Sequence, residues 1–290
     1  MGLMVLIIVI IAIVLWLKID RNTGNDQAEI EDAILSNDLG NTDWDELKKF
    51  LDSKGISEDQ YRAIRLDAHR KRAEAEYADS QYWYALLIGN ANKDESERYY
   101  KLAAEQDYIP AVTHLMYAYT ETGAFGINPE EELYWTRKGT ELGDVSAMLK
   151  LGGDYIIGDI VETNQDEAEK WFMKAAGLGS AEAYISLAEM TKYMNETEKR
   201  IQWLRTAIYI AGTCYDRDSY ERAAYGLGWI YKPRDNNVNS DAKKSCYFFV
   251  LSYVLGDRYS GDESKHTGYV PGREEFNSWV EDARNLSIRM

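Results

Sequence analysis

The stretch that decides the fold is residues 147–179, AMLKLGGDYIIGDIVETNQDEAEKWFMKAAGLG. Its first half places a small residue, then a Leu at the fourth position after it, a small residue at the fifth and a Tyr at the eighth: Ala147, Leu151, Gly152 and Tyr155. Its second half places Trp171 before Ala175 and Ala176 and ends on Gly179. Residues at such spacings share one face of a helix. The stretch therefore predicts two helices joined by a loop.

The same pattern returns along the chain at intervals close to 36 residues. In the first helix of other units it reads Ala111, Leu115, Met116 and Tyr119; Ala183, Leu187 and Ala188; and Ala223, Leu227, Gly228 and Tyr231. In the second helix it reads Tyr99 with Ala103 and Ala104, Trp135 with Gly143, Trp203 with Ala207, and Phe248 with Gly256. A period of this length predicts stacked helix pairs, because one pair alone cannot bury its apolar face.

We therefore predict an all-α protein, a right-handed α/α solenoid of about five helix-pair repeats with an N-terminal transmembrane helix and flanking capping helices. Small residues at facing positions let two helices approach closely, and a bulky aromatic fills the wedge between neighbouring pairs. The structural repeat positions are Ala111, Trp135, Ala147, Leu151, Gly152, Trp171, Gly179 and Trp203. The expected organisation is a transmembrane anchor at 1–19, a linker and N-terminal capping helices at 20–78, the solenoid at 79–256, and a C-terminal loop and capping helix at 257–290.

The capping region has helix signals of its own. Helices are expected at 28–35, 44–51 and 57–77, and a C-terminal cap at 273–286. Ser57 is a suitable N-cap residue, and Gly55 is suited to end the helix before it.

Residues 1–17 carry no charge and are rich in Ile, Leu and Val. As a helix they span roughly 25 Å, enough for a bilayer core, and Trp16 and Lys18 suit its interface. A cleaved secretory signal is the alternative, but its basic start and small-residue cleavage site are missing. A lipoprotein signal needs a Cys, and no Cys precedes Cys214. We expect an uncleaved single-pass anchor in a bacterial inner membrane.

The charges after the span bear on its orientation. Lys18 and Arg21 follow it, which favours a cytoplasmic body under the positive-inside rule. Asp20 lies among them, and a large domain can be translocated despite such charges, so a periplasmic body is the alternative.

Composition limits the kind of partner. The chain has 33 Lys and Arg against 49 Asp and Glu, a net charge of −16, which opposes binding to nucleic acids and anionic lipids and favours basic protein partners. Cys214 and Cys246 are too few for a disulfide scaffold, and both a single bridge and two free thiols stay open.

The sequence shows no nucleophile elbow, phosphate-binding loop, dinucleotide fingerprint or metal-binding helix. His69, His114 and His266 fall in different units. The acidic residues Asp257, Asp262 and Glu263 lack the spacing of a calcium loop and suit a solvated loop. We expect no enzyme activity, no catalytic residue, no cofactor and no metal. The alternative, a cell-envelope hydrolase, would require a catalytic pair that this sequence does not display.

In these residues the chain resembles the Sel-one-like repeat family, close relatives of tetratricopeptide repeats, over residues 79–256. The unit at 147–179 carries nearly the whole family pattern. Departures lie at the ends, where Gln81 and Tyr82 stand in place of small residues and Ser252 and Tyr253 replace an Ala pair. The resemblance implies an adaptor or scaffold of membrane-associated complexes. In bacteria, some members are immunity proteins that neutralise secreted toxic effectors.

By analogy with tetratricopeptide pairs, positions +2 and +6 of each first helix face the concave side. The predicted partner-binding groove residues are Tyr84, Thr113, Tyr117, Glu189, Tyr225 and Trp229. This aromatic and weakly acidic set suits a peptide segment or partner loop with basic and apolar groups. The alternative for several of these aromatics is packing between repeats.

Overall fold

The computed structural model describes residues 28–36, 38, 44–89, 91–191, 196–214, 216–233, 241–255, 267, 269, 271, 274–275 and 277–281. Within them every regular element is helical, which confirms the predicted all-α class. The predicted anchor at 1–17 lies outside the described residues, as do residues 257–266 and the end of the predicted C-terminal cap at 282–286. Among the described residues, no helix combines the length and the apolar character that crossing a membrane requires.

The helices follow one another with short connections. They are α1 (28–36), α2 (Trp44–Ser53), α3 (Glu58–Glu74), α4 (Ala78–Ile88), α5 (Lys93–Glu105), α6 (Ile109–Ala118), α7 (Pro129–Glu141), α8 (Val145–Ile157), α9 (Gln165–Gly177), α10 (Ala181–Met190), α11 (Thr197–Cys214), α12 (Arg217–Tyr231) and α13 (Ala242–Leu255). Residues 274–275 and 277–281, in the predicted C-terminal cap, are also helical.

The chain divides into two compact units, Met1–Trp135 and Thr136–Met290. In the first unit, α3 packs on α4, α4 on α5 and α5 on α6. In the second, each helix from α8 to α13 packs on the next, and α10 also contacts α12. Helices therefore pack on their neighbours in sequence, as stacked helix pairs require. The right-handed sense of the solenoid stays a prediction.

The N-terminal helices have the predicted capping signals. The Ser57 hydroxyl accepts from the Gln60 amide at 3.3 Å, while the Gln60 side chain accepts from the Ser57 amide at 2.9 Å. This capping box begins α3, and Gly55, with φ of 69°, follows the end of α2. The buried side chains of α1, α2 and α3 form one apolar cluster, made of Ile30, Ile34, Leu47, Leu51 and Tyr61.

Two helix pairs of the second unit depend on a glycine that faces an aromatic ring. A Cβ built on Gly152 of α8 would lie 2.6 Å from the Phe172 ring of α9, and one on Gly228 would lie 2.7 Å from the Phe249 ring. Phe172 is buried, whereas Trp171 is half-buried and carries the Lys174 ammonium 3.8 Å from its ring centre. The ring that fills the space beside Gly152 within this helix pair is therefore Phe172, one residue after Trp171.

The first repeat has a different register from the predicted one. The buried residues of α4 are Ser80, Gln81, Tyr84, Ala85 and Ile88. The Ser96 hydroxyl donates to the Ala85 carbonyl at 2.8 Å, just as Ser245 donates to the Gly228 carbonyl at 2.9 Å. Ala85 therefore occupies the fifth position of its unit, and Tyr84 occupies the Leu position. The unit begins at Ser80, a small residue.

The glycine contact gives a stability prediction for two adjacent positions. Gly152→Ala should destabilise the protein by about 1–3 kcal/mol, because its methyl group would overlap the Phe172 ring. Gly153→Ala should stabilise it by about 0.5–1 kcal/mol, since its Cβ meets nothing within 4 Å and Ala favours a helix. Thermal denaturation followed by circular dichroism measures both, and equal effects would contradict the assigned contact.

Two equivalent tryptophans differ in their hydrogen bonds. The indole N–H of Trp135 donates to Glu131, four residues earlier, at 2.8 Å. At the equivalent place before Trp203 stands Lys199, which pairs with Glu169 and Glu196 at 3.3 Å each. The buried Nε1 of Trp203 has no acceptor among the described residues. An unpaired buried donor of this kind costs about 1–3 kcal/mol.

Replacing each tryptophan by Phe should separate the two cases. Trp135→Phe loses a charge-assisted hydrogen bond, whereas Trp203→Phe removes an unsatisfied donor, and both lose the same volume. We expect Trp135→Phe to be the more destabilising by about 2 kcal/mol. Urea denaturation of both variants provides the measurement, and a larger loss at Trp203 would refute the difference.

Candidate functional site

A groove of about 410 Å³ lies on the second unit, between α8, α9 and α10. Its lining residues are Leu149, Gly153, Ile156 and Ile157 of α8, Gln165 and Phe172 of α9, and Glu182, Ser186, Glu189 and Met190 of α10. We call it the α8–α10 groove. One of its walls is apolar and the other carries carboxylates, so it can take a segment with both apolar and polar side chains.

The apolar wall is the last turn of α8. Ile157 is 73% exposed and Ile156 is 41% exposed, although both are large aliphatic residues. Helix α8 ends there because Gly158 adopts a left-handed conformation, with φ of 79°, as its C-cap. Burial of such a side chain is worth about 1.5–3 kcal/mol, so this wall offers binding energy to a partner.

Gly153 opens the middle of the groove. Its neighbour Gly152 faces the Phe172 ring on the packed side of α8, whereas a Cβ on Gly153 would enter open space. Two adjacent helical residues point about 100° apart, so one glycine serves the helix contact and the other widens the groove.

The polar wall runs along α10. Glu182, Ser186 and Glu189 are spaced by four and three residues and therefore share one face of the helix. Arg222 of α12 forms ion pairs with Glu182 and, at 3.7 Å, with Glu189. Burial alone would lower the pKa of Arg222, but the hydrogen bond and charge of Glu182 raise it above its usual range. A permanently charged guanidinium therefore lies between two carboxylates of the polar wall.

The predicted groove residues of the first unit differ in their exposure to solvent. Tyr84 is buried, with its ring 4.9 Å from Tyr99 in an edge contact and its hydroxyl 3.3 Å from Glu95. Its assignment to the groove is therefore corrected: the +2 position belongs to Tyr82, because the unit begins at Ser80. On α6, Tyr117 is 50% exposed and the Thr113 hydroxyl donates to the Ile109 carbonyl.

Among the predicted residues of the second unit, Glu189 lines the α8–α10 groove. Tyr225 and Trp229 are half-buried, and their rings lie 5.8 and 6.0 Å from that of Phe249, beside which they pack. The Lys232 ammonium lies 4.4 Å from the Trp229 ring centre. A partner-binding role for Thr113, Tyr117, Glu189, Tyr225 and Trp229 stays a prediction.

The sequence reasoning missed most of the groove. Leu149 and Gly153 occupy positions +2 and +6 from Ala147, so the repeat register itself could have found them. Ile156 and Ile157 lie beyond those positions, and no sequence signal separates them from core residues. Their exposure follows from where α8 ends.

Within the described residues, no group of three or more His, Cys, Asp or Glu side chains could hold a metal ion. His69 is fully buried with its Nε2 2.7 Å from Asp38, and His114 stacks on Tyr100 with its pKa lowered by burial. Cys214 and Cys246 are free thiols, the first exposed and the second buried.

A comparison with solved structures identifies the fold of the chain. No protein-family model and no curated protein matches this sequence. A Sel1 repeat protein from Oxalobacter formigenes is 19% identical and has a TM-score of 0.59, over 82% of this chain and 97% of that one. The chain therefore has the fold of a Sel1 repeat protein.

Two further solved structures are more distant. The protective antigen c5321 of uropathogenic Escherichia coli, with an SLR fold, is 20% identical, with a TM-score of 0.46 over 83% of this chain and 58% of that one. The immunity protein Pa5087 of Pseudomonas aeruginosa is 15% identical, with a TM-score of 0.40 over 73% and 82%.

Proposed function

We propose that this protein is a membrane-tethered member of the Sel-one-like repeat family that captures a protein partner in the α8–α10 groove. The observation that carries the proposal is the combination of the exposed Ile156 and Ile157 with a carboxylate wall on α10. Exposed aliphatic side chains next to charged groups are typical of a surface that another protein covers. The fold of a Sel1 repeat protein supports a scaffold role.

The tether is the apolar segment at 1–17, which is long enough to cross a bilayer core. We place the protein in the inner membrane of a bacterium, with Lys18 and Arg21 favouring a cytoplasmic body. A single-pass anchor would hold the repeat units close to membrane-associated partners.

Deletion of residues 1–17 tests the tether. The full chain should sediment with membranes and resist carbonate extraction, whereas the truncated chain should be soluble. A variant in which an unrelated apolar helix replaces 1–17 should return to the membrane. A truncated protein that stays in the washed membranes would contradict the tether, and a reporter fused after Met290 would assign the side.

The partner that we propose is a toxic effector, which makes this chain its immunity protein. Immunity is a role that the family resemblance implies. The net charge of −16 suits a basic protein partner, since opposite charge speeds encounter and favours correct partners. The groove would then hold a segment of the effector.

Growth rescue with a blocked groove tests this function. Expression of the chain should protect cells from the effector encoded beside its gene, and Gly153→Leu should abolish protection because its side chain fills the groove. The melting temperature should not fall, since the added Cβ enters open space and Leu favours a helix.

The matched control is Gly177→Leu, also helical and open at its Cβ but outside the groove, which should still protect. Tagged wild-type chain and this control should co-purify with the effector, and Gly153→Leu should not. Protection by Gly153→Leu would exclude the groove, and failure of the wild-type chain to protect would exclude immunity.

A further inference from the structure

Two carboxylates that line the α8–α10 groove, Glu182 and Glu189, already pair with Arg222 of α12, and that feature indicates what a partner must bring. We propose that the partner presents a basic side chain to Glu189 and bulky apolar side chains to Ile156 and Ile157, and that Arg222 competes with that basic side chain for the carboxylates. This inference rests on the proposed function, because it names the class of segment that the groove takes.

Glu189 is the carboxylate that is best placed to receive a new cation. Its side chain is 66% exposed, against 34% for Glu182. Its distance of 3.7 Å to Arg222 is longer than the 2.7–2.9 Å typical of a charge-assisted hydrogen bond. A carboxylate can accept several hydrogen bonds, so Glu189 has capacity left for a Lys or Arg of the partner.

The charges around Arg222 do not balance. Among the residues that the structure describes, the guanidinium faces Glu182, Glu189 and, at 3.9 Å, Asp218, so these three carboxylates and one cation sum to two negative charges. On the facing helix α8, Lys150 and Asp154 form an ion pair at 3.2 Å and add no net charge. The polar wall therefore attracts a second cation and repels an acidic segment.

The apolar wall excludes a purely polar ligand. Ile156 and Ile157 gain from contact only with aliphatic or aromatic groups, and Gly153 leaves room for them beside the wall. A small organic cation would satisfy the carboxylates but leave both isoleucines in water. The two walls together select a protein segment in which a basic residue lies close to apolar ones.

The test begins with a random peptide library displayed on phage and selected on the full chain in detergent micelles. The selected peptides should combine Lys or Arg with Leu, Ile or Phe, and Gly153→Leu should remove their binding. A labelled consensus peptide then gives Kd values by fluorescence anisotropy.

Two substitutions should change the affinity in opposite directions. Glu189→Gln should weaken binding of the consensus peptide about three- to fivefold, the size of an exposed ion pair. Arg222→Gln should tighten binding by a similar factor, because it removes the competing cation. Binding to the wild-type chain should weaken with added salt, and less so for Glu189→Gln.

Matched controls remove the same charges outside the groove. Glu198→Gln and Arg205→Gln lie on exposed positions of α11 and should leave Kd unchanged. Weaker binding in both test variants would indicate a general loss of structure and would overturn the proposal. Groove-dependent peptides without basic residues would also overturn it while leaving the proposed function intact. Peptides whose binding ignores Gly153→Leu would overturn both.

Discussion

The close approach of α8 and α9 at Gly152 sets the geometry on which the groove depends. Phe172 lies where a side chain at position 152 would be, so α9 packs directly against the backbone of α8. Gly228 and Phe249 repeat the arrangement in a later pair. Close packing of this kind tolerates little change in volume, which fixes the separation of the two helices. Because α10 then packs on α9, the same contact positions both walls of the α8–α10 groove.

The repeat itself could be predicted from the sequence, because its period is set by the small residues that must face each other. Ala111, Ala147 and Ala183 are all fully buried, as their 36-residue spacing requires. The turn before the first helix of each repeat is harder to predict from the sequence. Gly143 and Gly179 adopt a left-handed conformation there, but Glu76 and Asp107 adopt it in the first unit, with φ of 65° and 61°. Non-glycine residues rarely adopt the left-handed conformation, so the sequence does not reveal these turns in the first unit.

The groove could be predicted less well than the fold, for a physical reason. A repeat pattern reports the residues that face other helices, whereas a binding surface consists of residues that face solvent and have no periodic constraint. Glu189, which lines the groove, falls on a repeat position, whereas Tyr84 was misplaced because its unit begins at Ser80 and an aromatic residue at the Leu position hid that register. Ile157 resembles a core residue in the sequence, and only the end of α8 at Gly158 exposes it.

In the proposed binding mode, the Arg222 guanidinium links stability and binding in one contact. Glu182 and Glu189 on α10 share a cation from α12, which joins two helices that contact each other in the free protein. The same ion pairs must weaken when a partner supplies its own cation, so part of the attraction of the polar wall is already used before binding. A partner would gain less affinity from carboxylates that already pair with Arg222 than from unpaired carboxylates. An apolar segment without a positive charge would gain no affinity from them. In the proposed complex, selectivity would therefore come from the pairing of the two walls, because neither wall alone would distinguish the partner from other basic or other apolar segments.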